Sequence, residues 1–228
     1  MNTTAVLSIS GLCKDYGERP ALRPLDLEVV RGSRVALLGH NGSGKTTLLR
    51  MAAGLLEPSA GQIMVDGHPA GSLEARGAVS WLSDTPTFYD DLSLWEHLEY
   101  VARLHGVVEW EERAEALLRR LHLTDRRDDL PGSFSRGLRQ KAAIALGLVR
   151  PCAVLLVDEP FVGLDTAGKE SFLALLDEAA ASGVTLVVAT HEMGFIHRVD
   201  RVVVLRDGEV VHDGPPDGVD VDAAVRPV

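Results

Sequence analysis

The sequence predicts an α/β fold: a core of alternating strands and helices, interrupted by a mainly helical lobe. Three observations predict it. The apolar run Val35-Ala36-Leu37-Leu38 meets a glycine-rich loop, and Leu48 to Ala53 follows, which reads strand, loop, helix. Ala153 to Val157 is an unbroken apolar strand of the kind found in parallel sheets covered on both faces. Between about Asp84 and Arg150 the patterning turns helical.

Taken in order, Val6 to Ile9 and Leu25 to Val30 are strand-like, and Gly61 to Val65 begins another strand. Gly67, Pro69 and Gly71 mark turns. Leu92 to His105 and Glu109 to Leu123 read as helices. In the second, Ala114, Leu117, Leu118 and Leu121 recur at helical spacing, and Glu115 stands four before Arg119. Pro131-Gly132 breaks the pattern, Leu138 to Val149 resumes it, and Pro151 ends it. Phe172, Leu175, Leu176 and Ala179 form a further helix face, Val184 to Ala189 and Val202 to Leu205 are buried strands, and Gly208 sits at a hairpin turn. The expected organisation is one domain over 5–214. Its core covers about 5–83 and 151–214, its helical subdomain about 84–150, and a Pro- and Asp-rich tail at 215–228 is loosely held.

The 228 residues are 46% hydrophobic and carry a net charge of −10. That balance speaks against a nucleic-acid partner, which selects for a basic excess. Cys13 and Cys152 are isolated, so a reduced compartment is the simpler reading. No apolar stretch approaches the roughly 20 residues that span a bilayer. No basic region followed by an apolar block marks a signal peptide, so a cytoplasmic chain is expected.

The glycine-rich loop reads Gly39-His40-Asn41-Gly42-Ser43-Gly44-Lys45-Thr46-Thr47. Glycines let the backbone curl so that several N–H groups face one anion. The helix start adds free N–H groups and a partial positive charge. Lys45 can reach the outer phosphates of a nucleotide, and the Thr46 hydroxyl can ligate Mg²⁺. The strand Val154 to Val157 ends in Asp158-Glu159, delivering two carboxylates to the sheet edge where α/β proteins bind ligands. Beside such a loop, Asp158 can hold Mg²⁺ and Glu159 can polarise an attacking water.

Over nearly its whole length the chain resembles the ATP-binding cassette ATPases, the motor subunits of ABC transporters. Gly163-Leu164-Asp165 is similar to their D-loop, and His191 in Val187-Val188-Ala189-Thr190-His191-Glu192 to their switch histidine. Tyr16 resembles the aromatic that stacks on adenine, and Gly132-Ser133-Phe134-Ser135-Arg136-Gly137-Leu138-Arg139-Gln140 resembles their signature segment. The resemblance implies a P-loop NTPase (RecA-like) core with an antiparallel β subdomain and an inserted helical subdomain. It implies ATP and Mg²⁺ as cofactors. ATP would contact Tyr16, Gly39, Asn41, Gly42, Ser43, Gly44, Lys45, Thr46 and Thr47. Ser135, Gly137 and Asp165 would complete the site. Lys45, Glu159 and His191 would serve hydrolysis. Ser135 and the N–H of Gly137 would cap the γ-phosphate held by the opposite subunit, so the partner is a second copy of the chain or a paralogous ATPase subunit. Transmembrane permease subunits would hold the pair on the inner face of the cell membrane, with no nucleic acid expected.

Two positions depart from the family pattern. Asp84, in Trp81-Leu82-Ser83-Asp84-Thr85-Pro86, stands where the family has a glutamine near the metal, and it is expected to keep the metal-sensing role. Arg136 replaces the first signature glycine, either adding positive charge at the interface or pointing to solvent. Six of the eleven aromatics lie between Trp81 and Trp110. They either form the core of the lobe or, with Phe88, Tyr89 and Trp95, border the groove in which the family docks a membrane subunit. The family's bacterial drug, antibiotic and lipid exporters are most similar. A soluble cassette acting on nucleic acid or ribosomes is the alternative, and an unrelated P-loop kinase or GTPase a third.

Overall fold

In the computed structural model, which describes residues 4–17, 20–217, 219–221 and 223, two sheets carry every strand that the hydropathy pattern announces. The strands are β1 (Ala5–Asp15), β2 (Pro20–Val30), β3 (Arg34–Leu38), β4 (Ala60–Val65), β5 (His68–Pro69), β6 (Val79–Leu82), β7 (Val154–Asp158), β8 (Thr185–Ala189), β9 (Arg201–Arg206) and β10 (Glu209–Gly214). The helices are α1 (Lys45–Ala52), α2 (Leu73–Ala78), α3 (Leu94–Leu104), α4 (Glu111–Arg120), α5 (Arg136–Leu148), α6 (Thr166–Ala181) and α7 (Met193–Ile196).

The chain divides into two units. The first holds the residues up to Trp81, Cys152–Glu159 and those from Ala179 onward. Its four-stranded sheet has the order β2-β1-β4-β5 and pairs antiparallel. Its six-stranded sheet has the order β10-β9-β3-β8-β7-β6, in which β7, β8, β3 and β9 run parallel and β10 closes an antiparallel hairpin. Ile9, Leu27 and Val65 of the first sheet, Leu37, Leu156 and Val203 of the second, and Leu48, Leu49 and Met51 of α1 share one apolar core. Val154 to Val157 are fully buried, as strands flanked on both sides must be.

The register of the parallel strands positions the site. Leu37 of β3 pairs with Ala189 of β8, and Ala189 pairs with Asp158 of β7. The carboxyl ends of three strands therefore finish level. The loop after β3, the acids that end and follow β7 and the segment after β8 all stand at the same edge.

The second unit holds Leu82–Pro151 and Pro160–Glu178. Leu94, Leu98 and Ala102 of α3, Ala114, Leu117 and Leu118 of α4, and Ile144, Ala145 and Leu148 of α5 are buried. Ser93 and Glu96 close a reciprocal cap that starts α3.

Several boundaries differ from the sequence reading. β1 runs on to Asp15, because register shifts after Ile9 break the alternation that would mark a strand. The six-residue α2 and four-residue β6 are too short for their periodicity to show. α5 starts two residues before Leu138, where Ser135 Oγ accepts from the Leu138 N–H at 3.4 Å. Of the tail expected at 215–228, residues 218, 222 and 224–228 lie outside the described residues.

Candidate nucleotide site

The loop between β3 and α1 is built under compression. Gly39 has φ +149°, and a Cβ there would stand 2.3 Å from the Leu205 carbonyl oxygen and 2.5 Å from Ser43 Oγ. Gly44 caps α1 at φ +105°, where a Cβ would lie 2.5 Å from Leu22 Cδ2 and 2.7 Å from the Ala21 carbonyl oxygen. Only glycine meets both the conformation and the space. The Gly208 N–H, in the β9–β10 turn, donates to the Ser43 carbonyl at 3.1 Å and fastens the loop from outside. The Leu48 N–H makes a helix bond to the Gly44 carbonyl at 2.9 Å, so the amides of the first turn precede the helix ladder and are available to an anion.

Lys45 lies inside this curl. Its Nζ donates to the carbonyls of Gly39 at 2.6 Å and His40 at 3.2 Å. Burial pushes its pKa down, and the carboxylates of Glu159 and Asp158 push it back up. The next residue, Thr46, donates its hydroxyl to Asp158 Oδ2 at 2.6 Å. Asp158 is buried at the end of β7, and it meets Thr46 because β3, from whose end the loop leads into α1, and β7 flank β8 on either side and finish level with it. The chemistry fits Mg²⁺: a hydroxyl and a carboxylate are hard oxygen donors, and this ion binds few protein groups and takes its other oxygens from phosphate and water.

Glu159 follows with φ +43°, an uncommon conformation for a residue with a side chain. Its N–H donates to the Ala189 carbonyl at 2.8 Å, which anchors this turn to the end of β8. His191 Nδ1 stands 3.4 Å from Glu159 Oε2, bringing together two residues far apart in sequence. Burial raises the Glu159 pKa, while His191 and Lys45 pull it down. The carboxylate is thus kept a stronger base than an exposed glutamate, beside a histidine whose side chain is 64% exposed.

Tyr16 also belongs to the first unit and is 64% exposed. Lys14 Nζ lies 5.2 Å from its ring centroid and donates to the Glu57 carbonyl at 2.8 Å, which fixes one face of the ring. Asn41 and Gly42 form the exposed crest of the loop, and Thr47 sits half-buried in α1.

The second unit collects a different subset. Ser135 caps α5 and Gly137 lies in its first turn, against the turn that carries Gly163 and Asp165. The Arg136 stem runs alongside Gly163, so this side chain is laid on the neighbouring turn. Asp84 accepts from Ser83 Oγ at 3.1 Å and Thr85 Oγ1 at 2.8 Å. Lys141 and Gly168, which sequence reasoning passed over, both contact Asp165. The only available signal for Lys141 was a charge placed at the start of the apolar run Ala142-Ala143-Ile144-Ala145.

His97 is held by both ring nitrogens. Its Nε2 accepts from the Tyr89 N–H at 2.9 Å, and its Nδ1 is 2.7 Å from the Ser93 carbonyl. The aromatics divide. Trp110 is buried, and Trp95 packs on it with centroids 4.8 Å apart, its own ring lying 3.9 Å from the Arg127 guanidinium. Tyr89 is 54% exposed and meets Tyr100 edge-on at 5.5 Å.

Residues 22–162 match the family model described as ABC transporter. The chain is 34% identical over 211 residues to the SkfA peptide export ATP-binding protein SkfE of Bacillus subtilis (strain 168), covering 91% of this chain and 88% of that one. It is similar to a solved ATP-binding subunit of an ABC transporter at 30% identity and TM-score 0.89, over 96% of this chain and 97% of that one. A solved dimeric ATP-binding cassette in a post-hydrolysis state, bound to ADP and Pi, shares 26% identity and TM-score 0.83, over 93% of this chain and all of that one. Among the described residues, no helix is long and apolar enough to cross a membrane.

Proposed function

Because the chain belongs to the ATP-hydrolysing ATP-binding subunits of ABC transporters, we propose that two copies of it clamp two ATP molecules and drive export by separate membrane subunits. The observation that carries the reading is the level ending of β3, β7 and β8, which assembles Lys45, Thr46, Asp158, Glu159 and His191 at one sheet edge.

Each group then has a task set by its surroundings. Lys45 exchanges the carbonyls of Gly39 and His40 for phosphate oxygens, which hold its charge better. The glycine-loop amides take the remaining phosphate oxygens. Mg²⁺, held by Thr46 and Asp158, would neutralise phosphate charge when bound. Water attacks the γ-phosphorus, its proton passes to Glu159, and the bond to the departing ADP breaks. His191 steadies the Glu159 carboxylate and reads the loss of the γ-phosphate. Tyr16 stacks on the base with its open face. Asp84 keeps a metal-sensing role despite its shorter reach.

Ser135, Gly137 and Asp165 act on the ATP bound to the other chain, which completes two sites in one dimer. The solved dimeric relative with ADP and Pi supports a two-chain assembly. Export is supported by the relative named as a peptide export ATP-binding protein. The chain would sit on the inner face of the membrane, held by its permease subunits, with Tyr89 and Phe88 at the docking groove and no nucleic acid as partner.

The deciding experiment is Glu159→Gln. Hydrolysis should fall by about a hundredfold or more, as expected for loss of a general base. The variant should then accumulate as a dimer in Mg-ATP by light scattering. A variant that stays monomeric at saturating Mg-ATP, with and without its membrane subunits, would sink the reading.

A further inference from the structure

The start of α5 and the turn at Gly163–Asp165 are fastened at three points. A Cβ on Gly137 would stand 2.6 Å from the Gly163 carbonyl oxygen, so the helix backbone approaches the turn as closely as a glycine permits. A Cβ on Gly163 would meet Arg136 Cγ at 3.3 Å and Cδ at 3.4 Å, so the arginine stem lies along the turn. One helical turn on, Lys141 Nζ is 3.0 Å from Asp165 Oδ1. The same oxygen accepts from the Gly168 N–H at 2.9 Å.

The lysine is the unusual member. Its side chain is only 10% exposed, while that of Asp165 is 66% exposed. A buried ammonium without a counter-charge is costly, so the exposed Asp165 is kept beside the buried Lys141. The packing leaves no slack. A Cβ on Gly168 would lie 2.6 Å from Asp165 Oδ1 and 2.7 Å from Lys141 Cε.

We propose that Lys141 is a positioning residue that makes the Ser135–Gly137 segment and the Gly163–Asp165 turn move as one element. Phosphate contact at Ser135 in one chain is then felt at Asp165 of the same chain, because separating the two would strand a buried charge. This rests on the two-chain reading above, in which both segments face the partner's nucleotide.

The test is Lys141→Met and Lys141→Arg in the Glu159→Gln background. Lys141→Met should raise the ATP concentration for half-dimerisation about tenfold, the scale of a typical coupling between sites. Nucleotide affinity of the dilute monomer should not change, since the phosphate loop lies in the other unit. Lys141→Arg keeps the charge and the donors and should restore dimerisation. With Glu159 intact, Lys141→Met should lower kcat and leave KM nearly unchanged. Asp165→Asn, which keeps an acceptor for the Gly168 N–H and removes only the charge, should show the same defect and covers the case of a poorly folded methionine variant. Parental dimerisation and turnover in Lys141→Met or Asp165→Asn would overturn the proposal. So would a folded Lys141→Arg as defective as Lys141→Met. Failure of the Glu159→Gln parent itself to dimerise would instead remove the two-chain reading, and this inference with it.

Discussion

The hydroxyl of Thr46 donates to Oδ2 of Asp158 at 2.6 Å, across 112 residues of sequence. It ties the first turn of α1 to the end of β7, and both partners are oxygen donors suited to Mg²⁺.

Thr46→Val keeps the shape of the side chain and removes this bond. A hydrogen bond to a buried carboxylate is worth about 1–3 kcal/mol, so urea denaturation should report a loss in that range. ATP turnover at saturating Mg²⁺ should fall as well. A variant with parental stability and turnover would mean that the bond carries neither role.

Burial holds the Glu159 pKa above the usual glutamate range, with His191 and Lys45 opposing that rise. A base must be ionised to accept a proton, so activity is present above this raised pKa and lost as pH falls through it. The acidic limb of kcat/KM should therefore sit at higher pH than an unperturbed glutamate would place it. His191→Ala removes a group that lowers the pKa, so in the residual activity the limb should move to still higher pH. A limb that stays put or moves down would exclude Glu159 as the titrating base.

The aromatic cluster calls for separate variants. Tyr89 is 54% exposed, so Tyr89→Ala should release the chain from membranes bearing its permease while leaving its thermal unfolding unchanged. Trp95 packs on Trp110 and Arg127, so Trp95→Ala should cost about 3 kcal/mol, the scale of a large-to-small change at a packed site. Undiminished co-purification of Tyr89→Ala with the membrane subunits would argue against docking there.

Asp84 accepts from Ser83 and Thr85, which orients its carboxylate. Asp84→Ala should reduce ATP turnover and raise the Mg²⁺ concentration needed for it. A variant whose turnover and Mg²⁺ dependence match the parent would remove Asp84 from the metal's surroundings.

The phosphate loop was legible because its chemistry is local. Glycines at Gly39, Gly42 and Gly44, an apolar strand before them and a helix after need only neighbouring residues to specify them. The same holds for the apolar run into Asp158-Glu159 and for the helix at Glu109 to Leu123, where burial repeats at a fixed period. The order of these segments was enough to suggest the family and its α/β architecture. The residue contacts were not readable in that way. Glu159 meets His191 because β7 and β8 pair in a register that levels their ends, and no local period encodes which strand neighbours which. Gly39 is pressed by Leu205 and Gly44 by Leu22, strands whose approach is set by the packed core. Nothing along the chain next to Lys141 names its partner, and only folding placed it against Asp165. Patterns along the chain determined which elements form and which residue types carry chemistry. Strand register and close packing, which depend on distant segments meeting, decided the partners of each.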